Sequence, residues 1–306
     1  RSWVLLSLTG IDRKDPHMAV AAATLTVLCE NTAGRAGLRG EWGLSVWIDT
    51  GQHRVLFDAG EATACAHNAR EMGVDLSAAD AVVLSHGHYD HTGGLAEVLP
   101  LLPRVPIYLH PGTLQSRYAK AGDISVNPSE VRDIGMPAAA RAHLENADLR
   151  YVEAPTEVVP GIWTTGAIPR LDPTEGPGGV GALDPGLTQP DPVVDDMAVW
   201  LETEAGILIV LGCAHAGVIN TVRLVETMKR GLPITGLIGG THLRAVSPER
   251  MEATIECLRT LPLSMLAACH CTGPKEAFQL QTAFPEQFVP MNAGSILRFP
   301  LATASS

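Results

Sequence analysis

The sequence predicts a mixed α/β fold, specifically a four-layer αββα sandwich. Two observations predict it. Short apolar strands bounded by turn residues recur in both halves of the 306-residue chain, and each half interleaves them with helical stretches. No internal period of the 20–50 residues typical of repeat proteins is visible, which excludes a solenoid. The hydrophobic share of 46% suits a packed core and is too high for a disordered chain.

The first half places strands over residues 24–29, 44–49, 54–58, 81–84 and 107–110, with Gly51 and Gln52 as a hairpin tip. A helix over 62–72 stops at Gly73, a residue suited to the left-handed end of a helix. Residues 111–146 are polar with helical patches. Residues 170–192 form a loop rich in Pro, Gly and Asp, and loops of that length inside a compact domain are often functional. The second half repeats the grammar. Strands over 197–202 and 207–211 meet at Glu204-Ala205-Gly206, a helix follows over 218–229, and then come a strand over 234–238 and a helix over 248–260. A strand over 263–268, a helix over 274–284 and a last strand over 295–299 complete it. We read residues 18–306 as one domain with lid-like insertions near 111–146 and 170–192. Residues 1–17 read as a leader or vector-derived segment, because His17-Met18 is what a common cloning junction encodes.

Composition narrows the function classes. With 22 Lys and Arg against 33 Asp and Glu, the formal charge is −11, which argues against a general nucleic-acid coat. A small anionic substrate stays open, since a bound metal supplies positive charge locally. No apolar run reaches the ~18 residues of a membrane-spanning helix. Six Cys are too few for a disulfide scaffold and point to a reducing cytoplasm. Cys29, Cys65 and Cys257 read as buried thiols.

The strongest chemical signal is Ser85-His86-Gly87-His88-Tyr89-Asp90-His91-Thr92-Gly93-Gly94, directly after the strand over 81–84. Imidazole and carboxylate are ligands for zinc, manganese and iron. On extended backbone, His86 and His88 point the same way, and Asp90 and His91 after the bend can serve a second ion. Three further clusters also sit at strand ends. In Cys213-Ala214-His215, Cys213 and His215 share a face if the strand continues. In Cys269-His270-Cys271, His270 reads as the ligand and both Cys as packing, since they point away from it on an extended chain. His242, in Gly240-Thr241-His242, is a ligand, a substrate-facing acid or base, or a helix cap. His110 reads as structural.

These motifs resemble the metallo-β-lactamase superfamily, with its strand-end His-x-His-x-Asp-His and later single ligands. Glu41-Trp42-Gly43-Leu44-Ser45, Leu56-Phe57-Asp58-Ala59-Gly60, Gly166-Ala167-Ile168-Pro169-Arg170, Gly212–Gly217, Gly240–Leu243 and His270–Gly273 narrow the resemblance. They are similar to the subgroup of the archaeal dihydropterin-ribofuranosyl-aminobenzene phosphate synthase of methanopterin biosynthesis. The resemblance implies a site for two divalent ions at one edge of the sheets. His86 and His88 would hold one, Asp90 and His91 the other, and His270 would close the second site. Where the superfamily has a bridging Asp, this chain has Cys213. Either Cys213 bridges as a thiolate or His215 completes the first site. A thiolate favours zinc or iron over manganese, and zinc is expected first.

The implied activity is metal-dependent hydrolysis by a hydroxide activated between two ions, on phosphodiester or phosphate-bearing small molecules. Asp90 would orient the water or take its proton. His242 and Arg170 would bind the anionic group, Arg170 through its planar fork. A lactonase or ester hydrolase, a pterin-pathway synthase, a metal-binding ligand sensor with little catalysis and a redox role for an iron pair are the competing readings, because a fold does not fix its chemistry.

Overall fold

The computed structural model describes residues 20–120, 130–176, 181–228 and 231–300; the expectation for residues 1–17 lies outside them. In chain order the first half contains β1 (Ala23–Cys29), β2 (Ser45–Asp49), β3 (Arg54–Phe57), α1 (Ala64–Met72), β4 (Ala81–Val83), α2 (Tyr89–Thr92), α3 (Leu95–Val98) and β5 (Pro106–Leu109). Then come β6 (Tyr118–Lys120), β7 (Val131–Asp133), α4 (Ala138–Leu144), β8 (Asp148–Tyr151), β9 (Thr156–Val159) and β10 (Ile162–Thr164). The second half adds β11 (Ala198–Thr203), β12 (Gly206–Leu211), α5 (Val218–Met228), β13 (Ile234–Gly240), α6 (Pro248–Arg259), β14 (Met265–Cys269), α7 (Pro274–Ala283) and β15 (Ile296–Phe299).

The strands form two large sheets, ordered β15-β1-β2-β3-β4-β5-β8 and β14-β13-β12-β11-β10-β9, with β6 and β7 a separate ribbon. Alternation with period two gives each strand two apolar faces. Leu208 and Val210 of β12 meet Val27, Ile48 and Phe57 between the sheets. Ile207, Ile209 and Leu211 face outward, under Val222 of α5, Ile255 of α6 and Leu280 of α7. On the other outer face, Leu56 and Val82 pack with Ala69 of α1, Val98 of α3 and Ala140 of α4. The result is the expected four layers. Five strands escaped the sequence reading, β6, β7, β8, β9 and β10. They are only three or four residues long, and β8 and β9 are sheet edges, where mixed sequences such as Asp148-Leu149-Arg150-Tyr151 carry little alternating signal.

Two sets of parallel strands matter for function: β3-β4-β5-β8 in one sheet and β12-β13-β14 in the other. Chain ends of parallel strands open onto a common edge, where ligands bind in α/β sheets. The four ligand motifs, at 85–94, 213–215, 240–242 and 269–271, each leave one of these ends.

Two described segments, around Arg117 and over 181–196, are stitched to that edge. Arg117 is fully buried; its Nε donates to Asp191 at 2.7 Å, and its Nη2 pairs with Asp195 and with the Gly112 carbonyl. The other Asp195 oxygen accepts the Gly87 N–H at 2.8 Å, inside the His-Gly-His motif. Tyr118 and Ala182 exchange backbone hydrogen bonds between the two segments, both 2.8 Å. Glu175 anchors its own loop to α5 by accepting from Ile219 N at 2.6 Å, and pairs with Arg250 at 3.1 Å. Among the described residues, no helix is long and apolar enough to cross a membrane.

Removing Arg117 leaves two buried carboxylates uncompensated, so Arg117→Ala should cost about 3–5 kcal/mol of stability. Urea unfolding of the variant checks this, and a loss below ~1 kcal/mol would contradict the buried pairing.

Candidate metal centre

β3 and β4 run parallel and deliver Asp58 and Ser85 side by side. His86, Gly87 and His88 follow on extended backbone, with His88 at φ −71° and ψ 149°, before the short α2 turns Asp90 and His91 inward. Gly87 has to be glycine, because a Cβ there would lie 2.2 Å from both Thr113 O and Arg117 Nη1. Across the edge, β12 delivers Cys213 and His215, β13 delivers His242, and β14 delivers His270. Asp58, Ala214, His242 and His270 adopt left-handed φ of 57°, 55°, 49° and 53°, a conformation costly for non-glycine residues that clusters at functional sites.

The imidazoles converge. His91 Nε2 lies 3.2 Å from His270 Nε2 and 3.1 Å from Cys213 Sγ. Asp90 Oδ2 is 3.4 Å from His270 Nε2 and 3.9 Å from His91 Nε2. His86 Nε2 is 2.9 Å from His88 Nδ1, and the His86 ring is 4.7 Å from that of His215. His86, His88, His215, His91, Cys213, Asp90 and His270 are all buried. Their ligand atoms form overlapping groups, each within 4.8 Å: His86/His88/His215, Asp90/His91/His270, and His86/His91/Cys213.

The outer sides of the rings determine which nitrogen carries a proton. Asp58 Oδ2 accepts from His91 Nδ1 and from Ser85 Oγ, both at 2.7 Å. Ser85 Oγ has spent its proton on Asp58, so it accepts from His86 Nδ1 at 2.9 Å. Asn31 Oδ1, identified as the oxygen because it accepts the Gly43 N–H at 3.2 Å, accepts from His270 Nδ1 at 2.9 Å. In His86 and His270 Nε2 is left with a lone pair facing its neighbours, and His91 Nε2 offers one once its proton is displaced. Such lone pairs repel unless a cation stands between them, and outer carboxylates or amides holding the far nitrogen are what metal-binding histidines use. His88 Nε2 is buried with no protein partner. The donor set therefore fits divalent metal ions.

The electrostatics agree. Burial pushes the His88 imidazolium down to about 3, so the ring is neutral and free to ligate. Burial opposes charge on Asp90 and His91 as well. His91 and His270 nonetheless hold Asp90 below the ordinary carboxylate range, and Asp58 and Asp90 carry His91 up to about 9. The carboxylates demand positive charge here, which a metal ion supplies while releasing the His91 proton.

Residues 53–167 match the family model of a β-lactamase superfamily domain. The chain has the metallo-β-lactamase fold. A crystal structure of a metal-dependent hydrolase of the β-lactamase superfamily superposes with a TM-score of 0.74 at 26% identity, covering 90% of this chain and 98% of that one. Zn2+-bound PqqB from Methylobacterium extorquens shares the fold at a TM-score of 0.52 and 16% identity, over 90% of this chain and 99% of that one. In sequence, the chain is 29% identical over 285 residues to the 7,8-dihydropterin-6-methyl-4-(β-D-ribofuranosyl)-aminobenzene-5′-phosphate synthase of Methanocaldococcus jannaschii, covering 89% of this chain and 95% of the relative.

Within this metallo-β-lactamase fold, two sequence expectations need correction. Arg170 is engaged by backbone carbonyls. Its Nη1 donates to His215 O at 2.6 Å and its Nη2 to the carbonyls of Pro192 and Val193 at 2.7 and 2.8 Å, so it pins Pro192 and Val193 to the Cys213–His215 turn. Cys269 packs between the sheets as expected, but Cys271 does not merely pack. The left-handed His270 breaks the strand alternation, and the chain enters a one-turn 3-10 helix, His270–Thr272. Cys271 Sγ consequently joins a further group with Cys213 and His270 and accepts the His242 N–H at 3.3 Å. His242 sits 4.3 Å, ring to ring, from His215, and its buried Nδ1 has no protein partner. His110 caps a 3-10 turn by accepting the Gly112 N–H at 3.0 Å.

The sequence reading did not single out Asp58, Ser85, Asn31 or Glu30, which holds the His270 N–H at 3.0 Å. The available signal was position, since Asp58 ends a strand parallel to the motif strand. Asp58→Asn removes the carboxylate that orients His91 and should weaken metal retention about 10- to 100-fold. Competition with a chromophoric chelator measures this, and wild-type retention would contradict the orienting role.

Proposed function

We propose that the protein is a metal-dependent hydrolase that uses two divalent ions, zinc foremost, on phosphodiester or phosphate-bearing small molecules. The carrying observation is the pair of three-ligand groups, His86/His88/His215 and Asp90/His91/His270, with Cys213 grouped with His86 and His91 from one of each. Cys213 then stands where the superfamily's bridging Asp is expected, and His215 completes the first group. When bound, such ions supply Lewis acidity and bring the pKa of water toward neutrality.

The protein's own groups have distinct tasks. Asp90, kept ionised by its imidazole neighbours, takes the proton of the attacking water at its carboxylate oxygen. Asp58, buried, accepts from His91 Nδ1 and holds that ring in one orientation. His242, with its unpartnered Nδ1, donates to the leaving group or to a substrate oxygen. Buried Arg117 and the two insertions limit the water around the site. Six unpaired cysteines support a reducing, cytoplasmic setting.

The phosphate preference is supported by the relative whose name is that of a 5′-phosphate synthase. The same similarity favours a second reading, a synthase acting in pterin-type metabolism. Lactones are the competing ester class.

A panel of phosphodiesters, phosphomonoesters and lactones assayed with metal-loaded protein tests the proposal. We expect turnover of at least one phosphoester, and loss of both turnover and bound metal in the double variant His86→Ala/His88→Ala. Turnover retained by that variant would refute the mechanism, and cleavage confined to lactones would move the activity to the competing class.

A further inference from the structure

With Arg170 spent on backbone carbonyls, the site needs another group to receive the anionic part of a substrate. The arginines near it are mostly committed. Arg117 is buried between Asp191 and Asp195, and Arg250 pairs with Glu175. Arg244 is different. It is exposed, and no hydrogen bond or ion pair engages it among the described residues. Its guanidinium lies 5.7 Å over the ring of Trp42.

Trp42 is itself unusual, a large apolar side chain left 39% exposed. Its ring centroid is 5.6 Å from that of His270, so it borders the metal centre. Arg244 approaches the same border from the β13 end, two residues after His242. Its Cβ and Cγ lie across Gly273, where an added Cβ would meet them at 3.2 and 3.1 Å. The loops carrying His242 and His270 thus bring one unpaired guanidinium to the mouth of the site. A ring face under a guanidinium restrains it while leaving its edge, the fork that matches an oxyanion, open. Restraint before binding lowers the ordering cost of recognition. A second pair flanks Asp90, where Arg132 lies 4.9 Å over the Tyr89 ring and donates to its hydroxyl at 2.9 Å. That Arg132 bond leaves Arg244 the freer of the two.

We infer that Arg244, held on Trp42, binds an oxyanion of the substrate, a phosphate or phosphonate group at the rim of the metal centre. This rests on the hydrolase reading for the identity of the site, but its test does not require turnover. Trp42 acts as a positioning residue that keeps the guanidinium in place.

Calorimetric titration of metal-loaded protein with phenylphosphonate, which cannot be hydrolysed as an ester, reads the effect. Arg244→Gln should bind it about 10- to 100-fold more weakly, the range for loss of charge-assisted hydrogen bonds, with unchanged metal content. Arg244→Lys should recover part of the affinity, because it keeps the charge and loses the fork. Trp42→Leu should weaken binding in the same direction, by less. Equal affinity in Arg244→Gln and wild type overturns the inference, as does a wild type that binds no phenylphosphonate at millimolar concentration. A wild type that binds the phosphonate through Arg244 yet hydrolyses no ester supports this inference and removes the hydrolase reading.

Discussion

Asp58 accepts three hydrogen bonds inside the protein, from Ser85 N, Ser85 Oγ and His91 Nδ1, each at 2.7 Å, and the orientation of the facing imidazoles follows from them. A buried carboxylate accepts and does not donate, so it dictates where its neighbours' protons lie. The Ser85 proton goes to Asp58, the His86 proton goes to Ser85, and His86 and His91 turn Nε2 toward the centre. Asn31 does the same for His270 from the other sheet. The result is a cluster whose ligand atoms face one another beside carboxylates that favour positive charge. A divalent cation that displaces the His91 proton suits that arrangement. The strained backbone at Asp58, Ala214, His242 and His270 is where the fold bears the cost of holding these groups ready.

The β-sandwich makes such a centre possible because it brings two sets of parallel strand ends to one edge. The two groups proposed to hold the ions each draw on both sheets. His86 and His88 come from one sheet and His215 from the other, and the same division separates Asp90 and His91 from His270. The segments around Arg117 and Asp191–Asp195 bind to this edge through charge. Arg117 joins the two segments and, through Asp195, the backbone of Gly87, so the ligand loop and its cover are parts of one network.

Much of this was legible in the sequence, and the reason is local. Strand followed by ligand-rich turn is a pattern of adjacent residues, so the four strand-end motifs and the two β-rich halves stand out without knowledge of the fold. What escaped depended on residues distant in sequence. Asp58 lies 33 positions from the His91 it orients, and the acceptors of Arg170 lie 22 to 45 positions away. Arg170 illustrates the difficulty: a guanidinium beside a suspected site suits an oxyanion and a backbone carbonyl equally well, and only the folded chain decides between them. Cys271 escaped for another reason. Its placement depends on one left-handed residue, His270, where a rule of strict alternation fails. Edge strands β8 and β9 escaped because half-exposed strands need little apolar alternation.

In the proposed centre, two ligand groups with Cys213 beside both hold a pair of divalent ions. Elemental analysis of the purified chain, by mass spectrometry of its metals against a protein concentration from amino-acid analysis, counts those ions. About two divalent ions per chain are expected after exhaustive dialysis. One ion per chain, or none after growth in metal-replete medium, would contradict that arrangement.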